Sequence, residues 1–136
     1  MFGLFWREIM EITIKEKVYN FVFGFGFLQE INRRNQVYLD NGVTMNAGVE
    51  NTVFNLLGGD IETLITTLHI ANATEKPRIS INELAEHIVE HEDTDFFTMV
   101  FDELKKSVFT KKKATEIEKE MQKFEKQAKV KTRKNK

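Results

Sequence analysis

Between Tyr19 and Arg34 the chain reads YNFVFGFGFLQEINRR and changes rhythm within a few positions. Tyr19, Phe21 and Phe23 alternate with Asn20 and Val22, as one side of a β-strand does, whereas Phe27, Leu28 and Ile31 share one face of a helix. Gly24 and Gly26 bracket the change, and glycine's backbone freedom lets a strand turn sharply into a helix that runs back across its own sheet. This strand, turn and helix form the expected nucleus of the fold.

The neighbouring segments supply what such a nucleus needs. Met10 to Ile14 alternates, with Ile12 and Ile14 on one side and Glu11 and Thr13 on the other, and should pair with Val18 to Phe23 across Lys15-Glu16-Lys17. That turn lacks the Asn-Gly or Asp-Gly residues that take positive φ readily. After Arg34 a polar passage, Asn35 to Gly42, ends in an Asn41-Gly42 turn. Thr44 is then placed to cap a helix through Met45, Val49, Val53, Leu56 and Leu57, stopped by Gly58-Gly59. Asp60 caps the next, with a stripe of Ile61, Leu64, Ile65, Leu68 and Ala71, and Pro77 lies beyond its end.

Ser80-Ile81-Asn82-Glu83 has the spacing of a capping box and opens a helix through Leu84, Ile88 and Val89. Asp93 or Asp95 starts another, with Phe97, Val100, Phe101 and Leu104 inward, fading near Ser107 or Thr110. Beyond it Ala114, Ile117, Met121, Phe124 and Ala128 are spaced three, four, three and four, a seam of about two heptads that is marginal alone in water. The expected architecture is one α+β domain: an N-terminal β-hairpin packed against a mainly helical body of about five helices, then a basic C-terminal helical tail. We divide the chain into an N-terminal extension (residues 1–9), the α+β domain (10–107) and the tail (108–136).

With 136 residues, 41% hydrophobic and twelve phenylalanines, the chain suits one ordinary core. Its formal charge of −1 hides a split: thirteen Lys or Arg against four Glu from Lys105 onward leave +9 there and −10 on residues 1–104. Such a basic arm meets an acidic partner or a polyanion, or is simply solvated. Absence of cysteine removes disulfides, thiolate ligands and thiol nucleophiles, and suits a reducing cytosol. The opening MFGLFWREIM meets Arg7 and Glu8 before reaching spanning length, so neither a signal peptide nor a membrane span is expected.

Catalytic or cofactor chemistry finds little support. His87 and His91 are four apart, but the phrase is HIVEH and not His-Glu-x-x-His, so with His69 they read as surface histidines and not metal ligands. Gly24-Phe25-Gly26 lacks the third glycine, lysine and hydroxyl of a phosphate cradle. Glu90 and Glu92 carry no sign of burial that would tune them for acid–base work. No catalytic residue, cofactor or metal is expected, and the phenylalanines read as core.

The order of several phrases resembles the tail assembly chaperones of long-tailed phages of Gram-positive bacteria. These are the strand Glu11 to Ile14, the run Tyr19 to Ile31, the Leu57-Gly58-Gly59-Asp60 break, ANATEKPR from Ala71 to Arg78, and Phe101 to Ser107, together covering about Met10 to Ser107. The chain differs in its glycine-free hairpin turn and in residues 1–9, which leaves Met1 and Met10 both open as the natural start. The resemblance implies a non-enzymatic protein of the bacterial host cytoplasm that binds and solubilises the tape measure protein. It further implies help in recruiting tail tube protein, through a longer frameshifted form in many relatives, and absence from the mature virion.

For partner contact the sequence offers two surfaces. One is the stripe Ile117, Met121 and Phe124 with Lys112, Lys113, Lys119 and Lys123 around it, suited to an acidic helical partner or else folded back as core. The other is a groove among the body helices, the usual seat of a partner helix. Two competing functions remain: a small nucleic-acid-binding protein using the basic arm, opposed by the acidic body, and a homo-oligomeric structural subunit joined through Ile117, Met121 and Phe124.

Overall fold

A computed structural model describes residues 9–134 of the chain. The first two elements are antiparallel strands, β1 (Ile9–Ile14) and β2 (Lys17–Val22), in the register Ile12 opposite Tyr19 and Met10 opposite Phe21. Met10, Ile12 and Ile14 alternate into the core with Tyr19 and Phe21, so the two-residue period places one face inward. Lys15 and Glu16 alone form the turn, both at positive φ (50° and 69°), and Lys17 already pairs with Ile14. The hairpin therefore has the tight two-residue connection that matches strand twist, built without glycine.

Helix α1 (Phe25–Arg34) follows at once and buries Phe27 and Ile31, with Leu28 partly covered. Neither Gly24 nor Gly26 has positive φ, so the bend does not depend on left-handed glycine geometry. What Gly26 supplies is space, since a Cβ there would lie 3.2 Å from Thr74 Cγ2. Phe23 and Phe27 meet edge to face at 5.0 Å across the bend.

The passage after Arg34 corrects the sequence reading. In place of a polar loop and a helix capped by Thr44, a second hairpin forms from β3 (Gln36–Tyr38) and β4 (Thr44–Asn46). Its turn holds because Gly42 adopts φ of 82°, its N–H donates to Leu39 O at 3.0 Å, and Asn41 Oδ1 accepts from Val43 N at 3.0 Å. Val37 and Tyr38 on one strand and Thr44 on the other are β-formers, and once they pair Met45 is withdrawn from any helix. Helix α2 (Gly48–Leu57) accordingly begins after Ala47 and buries Val49, Val53 and Leu56.

Helix α3 (Ile61–Asn72) is capped by Asp60, whose carboxylate accepts from Thr63 N at 3.2 Å. It buries Leu64, Leu68 and Ala71, while Ile61, expected on the stripe, is exposed in the first turn. Asn72, 1% exposed, closes the helix: its amide donates to Asn20 O (2.9 Å) and Pro77 O (3.1 Å) and accepts from Ile79 N (2.8 Å). One side chain thus joins β2, α3 and the segment beyond Pro77.

Ser80 caps α4 (Ile81–Glu90) by accepting from Glu83 N, and Leu84 and Ile88 are buried while Val89 is exposed. Asp95 is the cap of α5 (Phe96–Lys106). The inward residues are Phe96, Val100, Phe101 and Leu104, so Phe96 occupies the buried position expected of Phe97, which is only partly covered. A last helix, α6 (Lys111–Lys134), leaves the body. One buried cluster links β1, β2 and all six helices as far as Ala114, giving the expected α+β architecture of a hairpin on a helical body with the basic helix at its end.

Candidate partner-binding surfaces

Helix α6 divides the stripe read from sequence into two parts. Its start belongs to the body: Thr110 is 1% exposed and its hydroxyl donates to Leu104 O at 2.6 Å, Ala114 is fully buried, and Ile117 packs partly against the core. Lys113 Nζ lies 3.5 Å from Glu50, and Lys105 Nζ lies 3.4 Å from Glu118, pinning α6 to α2 and α5. Further out Met121 is half-buried and Phe124 is 74% exposed.

The lysines do not form a single rim around that stripe. With about 100° of rotation per residue, Lys112, Lys119 and Lys123 emerge on the side of α6 opposite Met121 and Phe124, whereas Glu120 and Glu125 stand nearer to it. The arm is therefore two-faced: an apolar edge bordered by carboxylates, and a basic back. Ile117 and Lys113 are engaged by the body, whereas Lys112, Lys119, Lys123 and Phe124 are exposed and Met121 is half-buried.

The body groove lies between α1, α2 and α3. This open cleft of about 340 Å3 is lined by Asn35, Asn51, Asn55, Thr63 and Thr66 above Ile31 and Ile70. Asn51 Nδ2 donates to Asn35 Oδ1 at 3.2 Å, which fixes part of the rim. Arg34 also borders the cleft, but its Nε donates to Glu30 at 2.8 Å. Hydrogen bonds from Arg33 and then Arg34 hold the Glu30 carboxyl down at about 2, so that cluster is charged throughout the physiological range. Amides and hydroxyls dominate the lining, a chemistry that suits the polar groups of a peptide main chain more than an apolar helix face.

The third surface is one that sequence reasoning missed. In the β3–β4 register Val37 stands opposite Met45, and Leu39 and Val43 follow on the same side, where Leu39 N donates to Val43 O at 2.9 Å. All four are exposed, so this small sheet turns an apolar face away from the core. The available signal was the sequence Val-Tyr-Leu, Asp-Asn-Gly, Val-Thr-Met, a strand pattern on each side of a strong turn.

Titratable groups outside these surfaces are structural in their setting. His87 and His91 stack at 4.1 Å between ring centroids, and His87 also meets Phe96 edge-on at 5.9 Å. Desolvation first, and the neighbouring His91 second, push the His87 pKa down. The Asp95 carboxyl is held low by hydrogen bonds from Thr98, as expected of a helix cap. Among the described residues no three metal-ligating side chains gather, and no helix is long and apolar enough to cross a membrane.

Comparison with known proteins gives one finding. The family model for phage tail assembly chaperone proteins, TAC, matches residues 11–119, a span that runs from the first strand through all five body helices and into the packed part of α6. No curated protein and no solved structure gives a match. The matched span covers most of the chain, from the first hairpin to the seated start of α6. On that match, the chain belongs to the phage tail assembly chaperone family.

Proposed function

We propose that this chain binds the tape measure protein of its phage, keeps it soluble, and helps recruit tail tube protein during tail assembly, acting in the host cytoplasm and leaving before the virion is complete. The observation that carries this reading is the family match over residues 11–119. Its physical sense is direct. A long tail-length ruler exposes helical apolar stripes before its tube is built, and such stripes aggregate unless covered. A protein that must later be displaced serves best through modest contacts spread over several surfaces, and this chain offers Met121 and Phe124 on the arm together with a polar cleft. Met121 and Phe124, with Lys112, Lys119 and Lys123 on the same helix, are the residues we assign to the client, while Ile117 and Lys113 seat that helix on the body. Chemistry at a reacting centre has no place in this role, and any recruitment of tube subunits through a longer frameshifted product would leave the described fold as its N-terminal part.

The test is co-expression with the tape measure protein encoded by the same phage, read by solubility and co-purification. Soluble, co-purifying tape measure protein is the expected result; an insoluble and unbound one overturns the reading. Phe124→Asp should then weaken capture while leaving the thermal unfolding of the chaperone unchanged, because its ring is mostly in solvent.

A further inference from the structure

We propose that Phe25, Val108 and Phe109, with Lys111 and Lys112 beside them, form a docking site for an acidic amphipathic helix of a partner protein. Lys111 lies about 20 Å along α6 from Phe124, so this site is separate from the tip of the arm and does not rest on the client reading given above.

The three apolar residues come from distant parts of the chain. Phe25 opens α1 and is 57% exposed, while Val108 and Phe109, 79% and 45% exposed, lie in the turn between α5 and α6. The rings of Phe25 and Phe109 meet at 5.8 Å with a tilt of 42°. Ser107 fixes that meeting, since its hydroxyl donates to Phe23 O at 2.6 Å and accepts from Phe109 N at 3.3 Å. Both bonds hold main chain, so the rings form a set platform and not two loose side chains. Together the three side chains expose roughly 300 Å2, the size at which apolar patches mark interaction sites.

Charge selects the occupant. From Lys105 to Ala114 the chain has five lysines and no carboxylate, and none lies between Lys17 and Gln29. Lys105 is taken by Glu118 and Lys113 by Glu50, and Lys106 faces Glu103 at 3.7 Å. Lys111 and Lys112 are exposed, and among the described residues no ion pair engages them. Glu75, on the loop whose Thr74 borders Gly26, accepts from the Thr74 hydroxyl at 2.8 Å. Helix α1 begins with no side-chain cap and no acidic residue in its first turn, so its dipole adds to the positive potential. An apolar patch with a positive rim matches leucine-type side chains flanked by Glu or Asp at helical spacing. Footprint then separates a helix from a larger polyanion. A helix is about 10 Å wide and meets only the patch and its rim. An anionic bilayer or a nucleic-acid duplex reaches over the rest of residues 1–104, whose charge of −10 opposes it.

The experiment is fluorescence anisotropy of the full chain with a labelled helical peptide of about 18 residues, leucines at i, i+3, i+4 and i+7 spacing and glutamates flanking them. The controls are its lysine counterpart and a peptide of the same composition with the leucines scattered. The acidic peptide should bind about tenfold tighter than either control, and weaken as salt rises from about 50 mM to about 500 mM. Val108→Glu and Phe25→Glu should each weaken it about fivefold or more. A carboxylate at the first position of α1 suits the helix dipole, so Phe25→Glu should keep the unfolding midpoint while losing the peptide. Phe124→Asp should bind the peptide as the unsubstituted chain does, which separates this site from capture of the tape measure protein. No binding of the acidic peptide at about 1 mM overturns the proposal. So does equal binding of either control, binding that survives Val108→Glu or Phe25→Glu, or loss of binding in Phe124→Asp, which would place it on the arm. Capture by phosphatidylserine vesicles that is lost in Val108→Glu, in place of peptide binding, assigns the patch to a membrane and overturns it as well.

Discussion

Gly48 packs against Asn32 so closely that a Cβ at position 48 would lie 2.7 Å from the Asn32 backbone nitrogen and 2.6 Å from the carbonyl carbon of Ile31. The Gly48 N–H donates to Asn32 Oδ1 at 3.1 Å, so the start of α2 is both capped by α1 and pressed onto it. The obstacle is main chain inside a helix, which cannot swing aside. Gly48→Ala should therefore destabilise the protein by about 2–3 kcal/mol, read as a lower urea midpoint with little change in slope. Gly58→Ala is the contrasting substitution: its φ is −80° and the nearest atoms to an added Cβ are at 3.4 Å and 3.6 Å, so its midpoint should stay or rise slightly.

The first hairpin turn holds two residues in the left-handed region, and neither is glycine. Replacing Glu16, at φ of 69°, by glycine removes a steric penalty that outweighs the added freedom of the unfolded chain. Glu16→Gly should raise stability by about 1 kcal/mol, and thermal unfolding should shift upward. An unchanged or lower midpoint would mean that the turn is not strained in solution.

Asn72 illustrates the cost of losing a buried polar junction. Asn72→Leu keeps the volume but leaves the carbonyls of Asn20 and Pro77 and the N–H of Ile79 without their partner. Only the Ile79 N–H bond is fully buried, and an unsatisfied buried group costs about 1–3 kcal/mol, so a loss of about 1–3 kcal/mol is expected. Hydrogen exchange at Ile79 should accelerate first.

Acid should weaken the fold through His87. Its pKa is lower in the folded chain than in the unfolded one, because burial and His91 disfavour the charged ring. The stability tied to its neutral form is present above the unfolded value near 6.5 and is lost as pH falls through the lower folded value. A fall in melting temperature beginning below about pH 6.5 is expected, and His87→Gln should flatten that part of the profile. Glu30 follows the same sign in a lower window: its carboxylate contribution is present above about 4.5 and disappears as pH falls through about 2, with small amplitude because the pair is largely solvated.

Much of this fold is legible in the residues because local chemistry and burial agree. The alternation of Ile12 and Ile14, the Phe27 and Ile31 face, and the caps Asp60, Ser80 and Asp95 all act through neighbours a few positions away, so their pattern survives in the sequence. The second hairpin was hidden for the opposite reason. Its strands are three residues long and exposed at every position, so no buried face writes a period into them, and Met45 happened to extend the helical spacing of Val49 and Val53. Phe96 and Phe97 differ by a single step around a helix, which only the packing of α5 on its neighbours decides. On the arm the stripe was visible, but the division at Ile117 was not, because it depends on how far α2 and α5 reach along α6.

The exposed arm and its seated start are one uninterrupted helix, held at Thr110 and Ala114 and open to solvent by Phe124. Ten residues separate Ala114 from Phe124, a projection of about 15 Å in a rod with no hinge. Whatever grips the tip cannot turn it independently: it must either unwind helical hydrogen bonds or lever Ala114 out of its seat between α2 and α5. Load applied at the rim of this molecule is thereby registered at its centre, as a crowbar registers at its fulcrum.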